Sequence, residues 1–498
     1  MKIAPRLPFA LIAGLVSALG FAPLDLWPLA LVALVALLAM VGQAPSLRRA
    51  LALGWMFGLG HFALGLNWIA TAFTYQAAMP AWLGWIAVLL LSLYLALFPA
   101  IATGLAWRWG RGDPVRFALI FAAAWIVAEW LRATLFTGFA WNPLGVLLVP
   151  LGAGALPARW IGTYGLSGLF ALWAGLTLAA APRRRAMAAV LIVPAITFLL
   201  WQFARAPIAA DPAAPRLRVV QPNIGQQEKW QPGFERANFG RLAALTGPPG
   251  AEPRLILWPE AAVPDYLEEE PGARARLARL LGPRDILLTG GVALVWGKDG
   301  HVAAARNSLF ALNGAGNLIG RYDKAHLVPY GEYLPMRTIL SAIGLSRLAP
   351  GDLDFLPGPG AQSFALPGFG TVGYQICYEI IFSGHVVDAA NRPAMLFNPS
   401  NDAWFGAWGP PQHLAQARLR AIEEGITVVR STPTGISAVI APDGRLAAHL
   451  PWRAAGTIDA RFPHATPPTL FAQAGNILPL LLAALLIAAA IALRRFRR

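Results

Sequence analysis

The chain has 498 residues, 57% of them apolar, a mean hydropathy of +0.53 and a formal charge of +15. That apolar content excludes one ordinary water-soluble domain and puts a membrane protein first. The charge does not mark a nucleic-acid binder, because residues 211–466 carry a net +1 and the rest of the chain +14.

About 20 mostly apolar residues are needed for a helix to cross the hydrocarbon layer, where only a helix satisfies its own backbone groups. Eight windows meet that length, at 7–21, 26–42, 50–70, 83–106, 117–134, 164–181, 186–202 and 474–493. Lys2 and Arg6 precede the first, as in a secretion signal. Six more windows follow without a convincing small-residue cleavage site, so the first is read as an uncleaved span. Late in the fifth window Glu129 and Arg132 lie one turn apart, an arrangement that is costly in lipid unless the groups are paired or near the interface. A structural pair and a headgroup contact both remain open for them.

Basic residues accumulate in short cytoplasmic loops beside spans. Lys2 and Arg6, Arg48 and Arg49, Arg108, Arg111 and Arg116, Arg183 to Arg185, and Arg494, Arg495, Arg497 and Arg498 fall on one side. The opposite loops at 22–25 and 71–82 have neither Lys nor Arg. Both termini are therefore expected in the cytoplasm and residues 203–473 on the outer face. Trp68, Phe73, Tyr75, Trp82, Phe139 and Trp141 lie near outer span ends, where aromatic-belt anchoring and acyl-chain contact are equally open readings.

The domain boundaries follow: a seven-span region over 1–202, an Ala/Pro-rich linker over 203–215, a polar domain over 216–466, the eighth span at 474–493 and a basic tail at 494–498. In the polar domain, strand-like runs such as "RLRVVQP", "PRLILWPE", "DILLTGGVALVW", "TVGYQICYE" and "PAMLFNPS" alternate with helical periodicity at 229–245, 271–282 and 411–425. Several runs are apolar throughout, as in strands covered on both faces of an α/β or α+β layered domain.

Three residues close or follow such runs. Cys377, the single cysteine, ends "TVGYQIC", and a strand end can expose a thiol beside free backbone N–H groups. A lone cysteine excludes an internal disulfide and is either a buried structural residue or a functional thiol. Glu260 follows "LILWP" and has the chemistry of a general base; Lys324, in "YDKAHLVPYGEYLP", can stabilise an oxyanion, with Glu332 positioned to hold it or the substrate. His326, His385, His413 and His464 lack zinc-type spacing, and there is no Walker loop or dinucleotide fingerprint, so neither a metal nor a cofactor is expected.

Taken together, Glu260, Lys324 and Cys377 in that chain order resemble the catalytic set of the nitrilase, or carbon-nitrogen hydrolase, superfamily. "FAPLDLWPL", "GWMFGLGHFALGLNW", "EWLRATLFTGFAWNPLG", "VVQPNIGQQEKW", "YDKAHLVPYGEYLP", "ICYE" and "NPSNDAWFG" narrow the resemblance to the apolipoprotein N-acyltransferases. That family more often has Gly where Pro222 stands and Pro where Ala140 stands.

The resemblance implies an eight-span helical membrane body carrying an αββα sandwich over 216–466, in the bacterial inner membrane with the catalytic domain in the periplasm. It implies Glu260 as base, Lys324 as oxyanion stabiliser and Cys377 as nucleophile, supported by Glu332, Tyr378 and Glu379. Trp230, Trp404, Phe405 and Gly406 resemble family residues near the cleft, and Trp141, Glu129 and Arg132 join them as possible substrate contacts. The implied reaction moves an acyl group from a phospholipid, through a Cys377 thioester, to the N-terminal amine of a diacylglyceryl-modified apolipoprotein, with the lipid bilayer as partner, no nucleic acid and a monomeric enzyme. A membrane-tethered amidase using the same three residues, and a noncatalytic scaffold or transporter, are the competing classes.

Overall fold

A computed structural model describes residues 7–75, 79–203, 211–229, 231–342, 348 and 354–496. Lys2, Arg6, Arg497, Arg498 and Trp230 lie outside these residues.

The first part is helical: α1 (Leu7–Ala18), α2 (Trp27–Gly42), α3 (Leu47–Gly65), α4 (Trp68–Ala72), α5 (Leu83–Leu95), α6 (Leu97–Gly110), α7 (Pro114–Thr134), α8 (Ala158–Ala180) and α9 (Arg184–Phe203). Local chemistry sets several starts. The Ser46 hydroxyl accepts from Arg49 N, and Asp113 accepts from Val115 N and Arg116 N with Pro114 at the first helical position. Helices α1 and α3 touch backbone to backbone: a Cβ at Gly14 would stand 2.0 Å from Phe57 O, and one at Gly60 2.3 Å from Leu11 O. Small residues allow this approach, which lets helices associate where lipid removes the hydrophobic drive.

Among the described residues, four helices are long and apolar enough to cross a membrane, Leu83–Gly110, Pro114–Thr134, Ala158–Ala180 and Ile477–Arg495, so the expected eight spans are met in part. The bent pair Leu47–Gly65 and Trp68–Tyr75 makes a fifth. The other expected windows fall on helices that are shorter or only partly described. Residues 19–24, for example, are turn-like, leaving α1 with 12 residues and α2 with 16. The seventh window coincides with α9, several of whose side chains lie outside the described residues.

Among the described residues the second part has twelve strands: β1 (Arg216–Gln221), β2 (Arg254–Leu257), β3 (Ile286–Trp296), β4 (Val302–Asn313), β5 (Leu318–Asp323), β6 (Gln362–Leu366), β7 (Gly370–Tyr374), β8 (Met395–Pro399), β9 (Thr427–Ser431), β10 (Ala438–Ile440), β11 (Leu446–His449) and β12 (Gly456–Arg461). They form two six-stranded sheets, ordered β12-β1-β2-β3-β4-β5 and β11-β10-β9-β8-β7-β6. Each has parallel pairs at its centre (β1–β2–β3 and β7–β8–β9) and antiparallel pairs outside them. Between the strands lie α10 (Gln226–Lys229), α11 (Glu235–Thr246), α12 (Pro271–Ala278), α13 (Arg337–Ala342) and α14 (Gly409–Glu424), and α15 (Leu470–Ala474) and α16 (Ile477–Phe496) follow.

Strand alternation builds the layers. Leu217, Val219, Leu255, Leu257, Ile286 and Leu288 point between the sheets and meet Val372, Met395, Phe397 and Val429 from the other. Their neighbours Val220, Ile256, Trp258 and Leu287 point the opposite way, onto Leu242 of α11 and Leu277 of α12. On the far side, Leu396, Val428 and Ile440 share one continuous core with Leu419 and Ile422 of α14 and with the helices of the apolar part. The result is the expected helix–sheet–sheet–helix sandwich, with α14 pressed between its sheet and the membrane body.

Candidate active site

Glu260, Cys377 and the 400–402 segment all follow the carboxyl ends of central parallel strands, where open α/β sheets place their sites. Glu260 is held close to β3: Trp258 N donates to Leu288 O, and Gly290 N to Pro259 O. A Cβ at Gly290 would lie 2.4 Å from Ala261 N, so glycine is required for this approach. Lys324 stands one residue beyond β5, its N–H donating to Asn307 O at 2.9 Å and extending the β4–β5 pairing. Cys377 opens the 3-10 turn Cys377–Ile381 after β7 and has φ +51°.

The side chains converge in a buried cluster. Lys324 Nζ donates to Glu332 Oε1 at 3.0 Å and stands 3.6 Å from Glu260 Oε1. Asn307 Nδ2 donates at 2.7 Å both to Glu260 Oε1 and to Glu332 Oε1. Glu332 Oε2 accepts from Val328 N at 2.8 Å. Among the described residues, Glu260 Oε2 is buried with no hydrogen-bond partner. One oxygen of Glu260 is thus committed to orientation and the other is left with its lone pairs free.

Burial costs the ammonium of Lys324, but Glu332, Glu260, Cys377 and Glu379 outweigh it and raise its pKa, keeping the lysine charged. Burial pushes the Cys377 thiol well above its usual range; Glu260 adds to that, while Lys324 and the N–H of Asn401 oppose it. The resting thiol is therefore protonated and needs a base beside it to become a nucleophile.

Glu379 ties the two halves of the cluster together. It accepts from Ile376 N at 2.7 Å in the cysteine turn, and from Ala325 N at 2.7 Å and His326 N at 3.0 Å next to Lys324. Tyr322 OH lies 2.9 Å from both its oxygens. Burial raises its pKa to about 7 against the pull of those backbone N–H groups and Lys324. Tyr378 OH points out of the domain toward Gly138 O, at 3.4 Å, in the loop after α7.

The remaining expected contacts divide. Trp404 is half-buried, 5.9 Å from the ring of Tyr75, and Gly406, with φ +56°, sits against Thr71. Phe405 packs on Trp68, Trp141 and His413, with centroids 4.6, 5.7 and 5.9 Å away. Trp141 is fully buried and donates to Gln412 Oε1 at 2.7 Å. Glu129 and Arg132 lie inside the helical body with separate partners: Glu129 Oε1 accepts from Trp125 Nε1 and Leu144 N, and Arg132 donates to Trp141 O. Trp230 lies outside the described residues.

Three groups escape sequence reading. Asn307 looks like one polar position in a long strand. Lys229 Nζ donates to Glu260 O at 2.9 Å, and burial pushes its pKa down to about 8 against the pull of Glu260 and Cys377. It also lines a cavity of about 390 Å³ behind Glu260, with Arg236, Asn238 and Asp265. Asp402, His413 and Arg430 form a buried network beneath Cys377. Cys377, Asp402 and His413 offer ligand-type atoms within 4.8 Å of one another, but Asp402 and His413 are engaged with each other and His413 with the Cys377 carbonyl. A signal for Asp402 existed in "NPSNDAWFG"; none marked Arg430.

Comparison with known proteins follows the two-part organisation. Residues 13–176 match the family model described as the apolipoprotein N-acyltransferase N-terminal domain, and residues 216–466 match carbon-nitrogen hydrolase. The apolipoprotein N-acyltransferase of Rhodopseudomonas palustris is 36% identical over 504 residues, covering 97% of this chain and 94% of its own. That of Bradyrhizobium diazoefficiens is 36% identical over 98% of this chain and 95% of its own, and that of Brucella melitensis 34% over 98% and 96%. Among solved structures, Saccharomyces cerevisiae Nit3, a member of branch 10 of the nitrilase superfamily, is 20% identical with a TM-score of 0.37, over 54% of this chain and 97% of its own. An amidase from Nesterenkonia sp. is 18% identical with a TM-score of 0.34, over 52% and 94%.

Proposed function

The chain belongs to the apolipoprotein N-acyltransferase family, and from that premise we propose how its buried carboxylates, lysine and thiol divide the reaction. It is an acyltransferase that N-acylates lipoproteins with a lipid as donor. Glu260 Oε2 takes the proton of Cys377 as the sulfur attacks an ester carbonyl of a phospholipid. Lys324, kept charged by Glu332 and Glu260, holds the oxyanion. Collapse, with Glu260 handing its proton to the leaving oxygen, expels the lysophospholipid alcohol and leaves a thioester on Cys377. The neutral α-amine of a diacylglyceryl-cysteine then attacks that carbonyl, Glu260 accepts the amine proton, and breaking the C–S bond yields the amide and the thiol.

The observation that carries this reading is the unpartnered Glu260 Oε2 in a cluster whose thiol is held neutral. A resting thiolate would need no base. The lipid nature of the donor is supported by the turn that bears Cys377: its next residue, Tyr378, reaches the loop after α7, so that turn lies against the membrane body.

We also place the enzyme in the bacterial inner membrane, with eight spans, both termini cytoplasmic and residues 216–466 in the periplasm. The one-sided run of Arg and Lys in the short loops supports this. The test combines purified protein, phospholipid and a diacylglyceryl peptide in detergent, with intact mass followed for enzyme and peptide. An acyl adduct on Cys377 that disappears as the peptide gains an acyl group is the expected result. Fatty acid release by water with no acylated peptide would instead establish a membrane-tethered hydrolase.

A further inference from the structure

Cys377 is not glycine, yet its φ is +51°, a left-handed conformation in which the Cβ of an L-residue crowds the following carbonyl. Something must hold it, and two side-chain nitrogens meet its carbonyl. His413 Nε2 lies 3.1 Å away, and Asn398 Nδ2 donates at 3.3 Å. These two side chains belong to one closed ring of interactions. His413 Nδ1 is 2.9 Å from Asp402 Oδ1, Asp402 Oδ2 accepts from Arg430 Nη2 at 2.9 Å, and Arg430 Nη1 donates to Asn398 Oδ1 at 2.5 Å. Asn398 Nδ2 also donates to Gln375 O at 2.6 Å, gripping the chain on the other side of the turn.

The ring has no slack, because His413, Asp402, Arg430 and Asn398 are each at most 1% exposed. It is also closed over by the membrane body. The Trp141 ring lies 5.3 Å from the His413 ring, and its Nε1 binds Gln412, the residue before His413. Gln412 Nε2 in turn reaches Gly65 O at the end of α3, at 3.3 Å. Docking of the membrane helices therefore fixes the start of α14, α14 fixes the imidazole, and the imidazole fixes the backbone of the nucleophile.

We propose that His413, braced by Asp402 and Arg430 and covered by Trp141, is a positioning residue that keeps Cys377 in its left-handed conformation, making the membrane body part of the catalytic geometry. The proposal rests on Cys377 being the nucleophile. It assigns His413 no contact with substrate; its effect is on where Sγ points relative to Glu260 and Lys324.

The test uses the full-length protein in detergent with phosphatidylethanolamine, reading thioester formation by intact mass as a function of lipid concentration. His413→Leu fills the space without a donor, whereas His413→Gln returns an N–H near the Nε2 position. The Leu variant should lose about 10²-fold in the maximal rate of acylation, the loss typical of a misplaced reacting group, with the lipid KM little changed. The Gln variant should recover at least roughly tenfold of that loss. Equal acylation rates in the two variants, or a Leu variant as fast as the parent, would overturn the proposal. If the Leu variant does not fold, as judged by its elution and thermal unfolding, the Gln variant decides alone: a rate within roughly tenfold of the parent supports the role and a larger loss refutes it. Cys377→Ala in the same assay separates the two levels. Acylation that survives without the thiol removes the nucleophile itself, whereas a dead Cys377→Ala with equal Leu and Gln variants removes only the positioning role.

Discussion

Asn307 Nδ2 stands 2.7 Å from Glu260 Oε1, and that same oxygen lies 3.6 Å from the Lys324 ammonium. One oxygen of the carboxylate is thereby pinned while its mate stays bare, the division a directed base requires. Asn307→Ala should let the carboxylate turn and reduce the acylation rate. Asn307→Asp should reduce it further, because it adds a third buried carboxyl group to Glu260 and Glu332 around one lysine. Intact-mass rates measured for both variants decide the point, and an aspartate variant faster than the alanine variant contradicts it.

Glu260→Gln keeps the side-chain size but loses the proton acceptor, and Lys324→Met removes the charge facing the oxyanion. Each should slow formation of acyl-Cys377 by about 10² to 10³, the usual cost of removing an oxyanion donor in acyl transfer. The exposed Lys298→Met serves as the matched control and should acylate like the parent. Normal acylation in both site variants would dismiss the mechanism, even with lipoprotein transfer impaired.

Glu424 gives a pH prediction remote from the chemistry. Burial, with Glu423 beside it, raises its pKa to about 7, and Arg392 only partly opposes this. A carboxyl group raised in the folded state contributes stability that is complete below its ordinary pKa of 4.5 and lost as pH rises through about 7. Glu424→Gln imitates the protonated form, so its thermal midpoint should match the parent near pH 5 and exceed it near pH 8. The gap corresponds to about 3 kcal/mol at most, from the size of the shift. A variant less stable than the parent at pH 8 contradicts the prediction.

The proposed orientation is open to a direct measurement. Lys298 lies on the exposed β3–β4 hairpin. Lys298→Cys in a Cys377→Ser background should therefore react with a membrane-impermeant maleimide added to intact spheroplasts. Labelling only after the inner face is exposed would invert the topology.

The sequence by itself determined the two-part organisation, the layered domain and the three reactive residue types. The reason is local: Glu260 and Cys377 each lie at or just beyond an apolar run, Lys324 directly follows a strand, and strand ends are where a buried sheet delivers side chains to a cleft. Hydropathy located the apolar windows but not the helix ends, because turn residues such as those at 19–24 are as apolar as the helices they end. Only the tertiary structure decided which polar residues meet. Asn307 reaches Glu260 across 47 residues and His413 reaches Cys377 across 36, distances closed by strand pairing and by the seating of α14, neither of which has a sequence period. Likewise Glu129 and Arg132, one turn apart, each gain a partner from the chain that folds back over them, Leu144 N donating to Glu129 and Trp141 O accepting from Arg132.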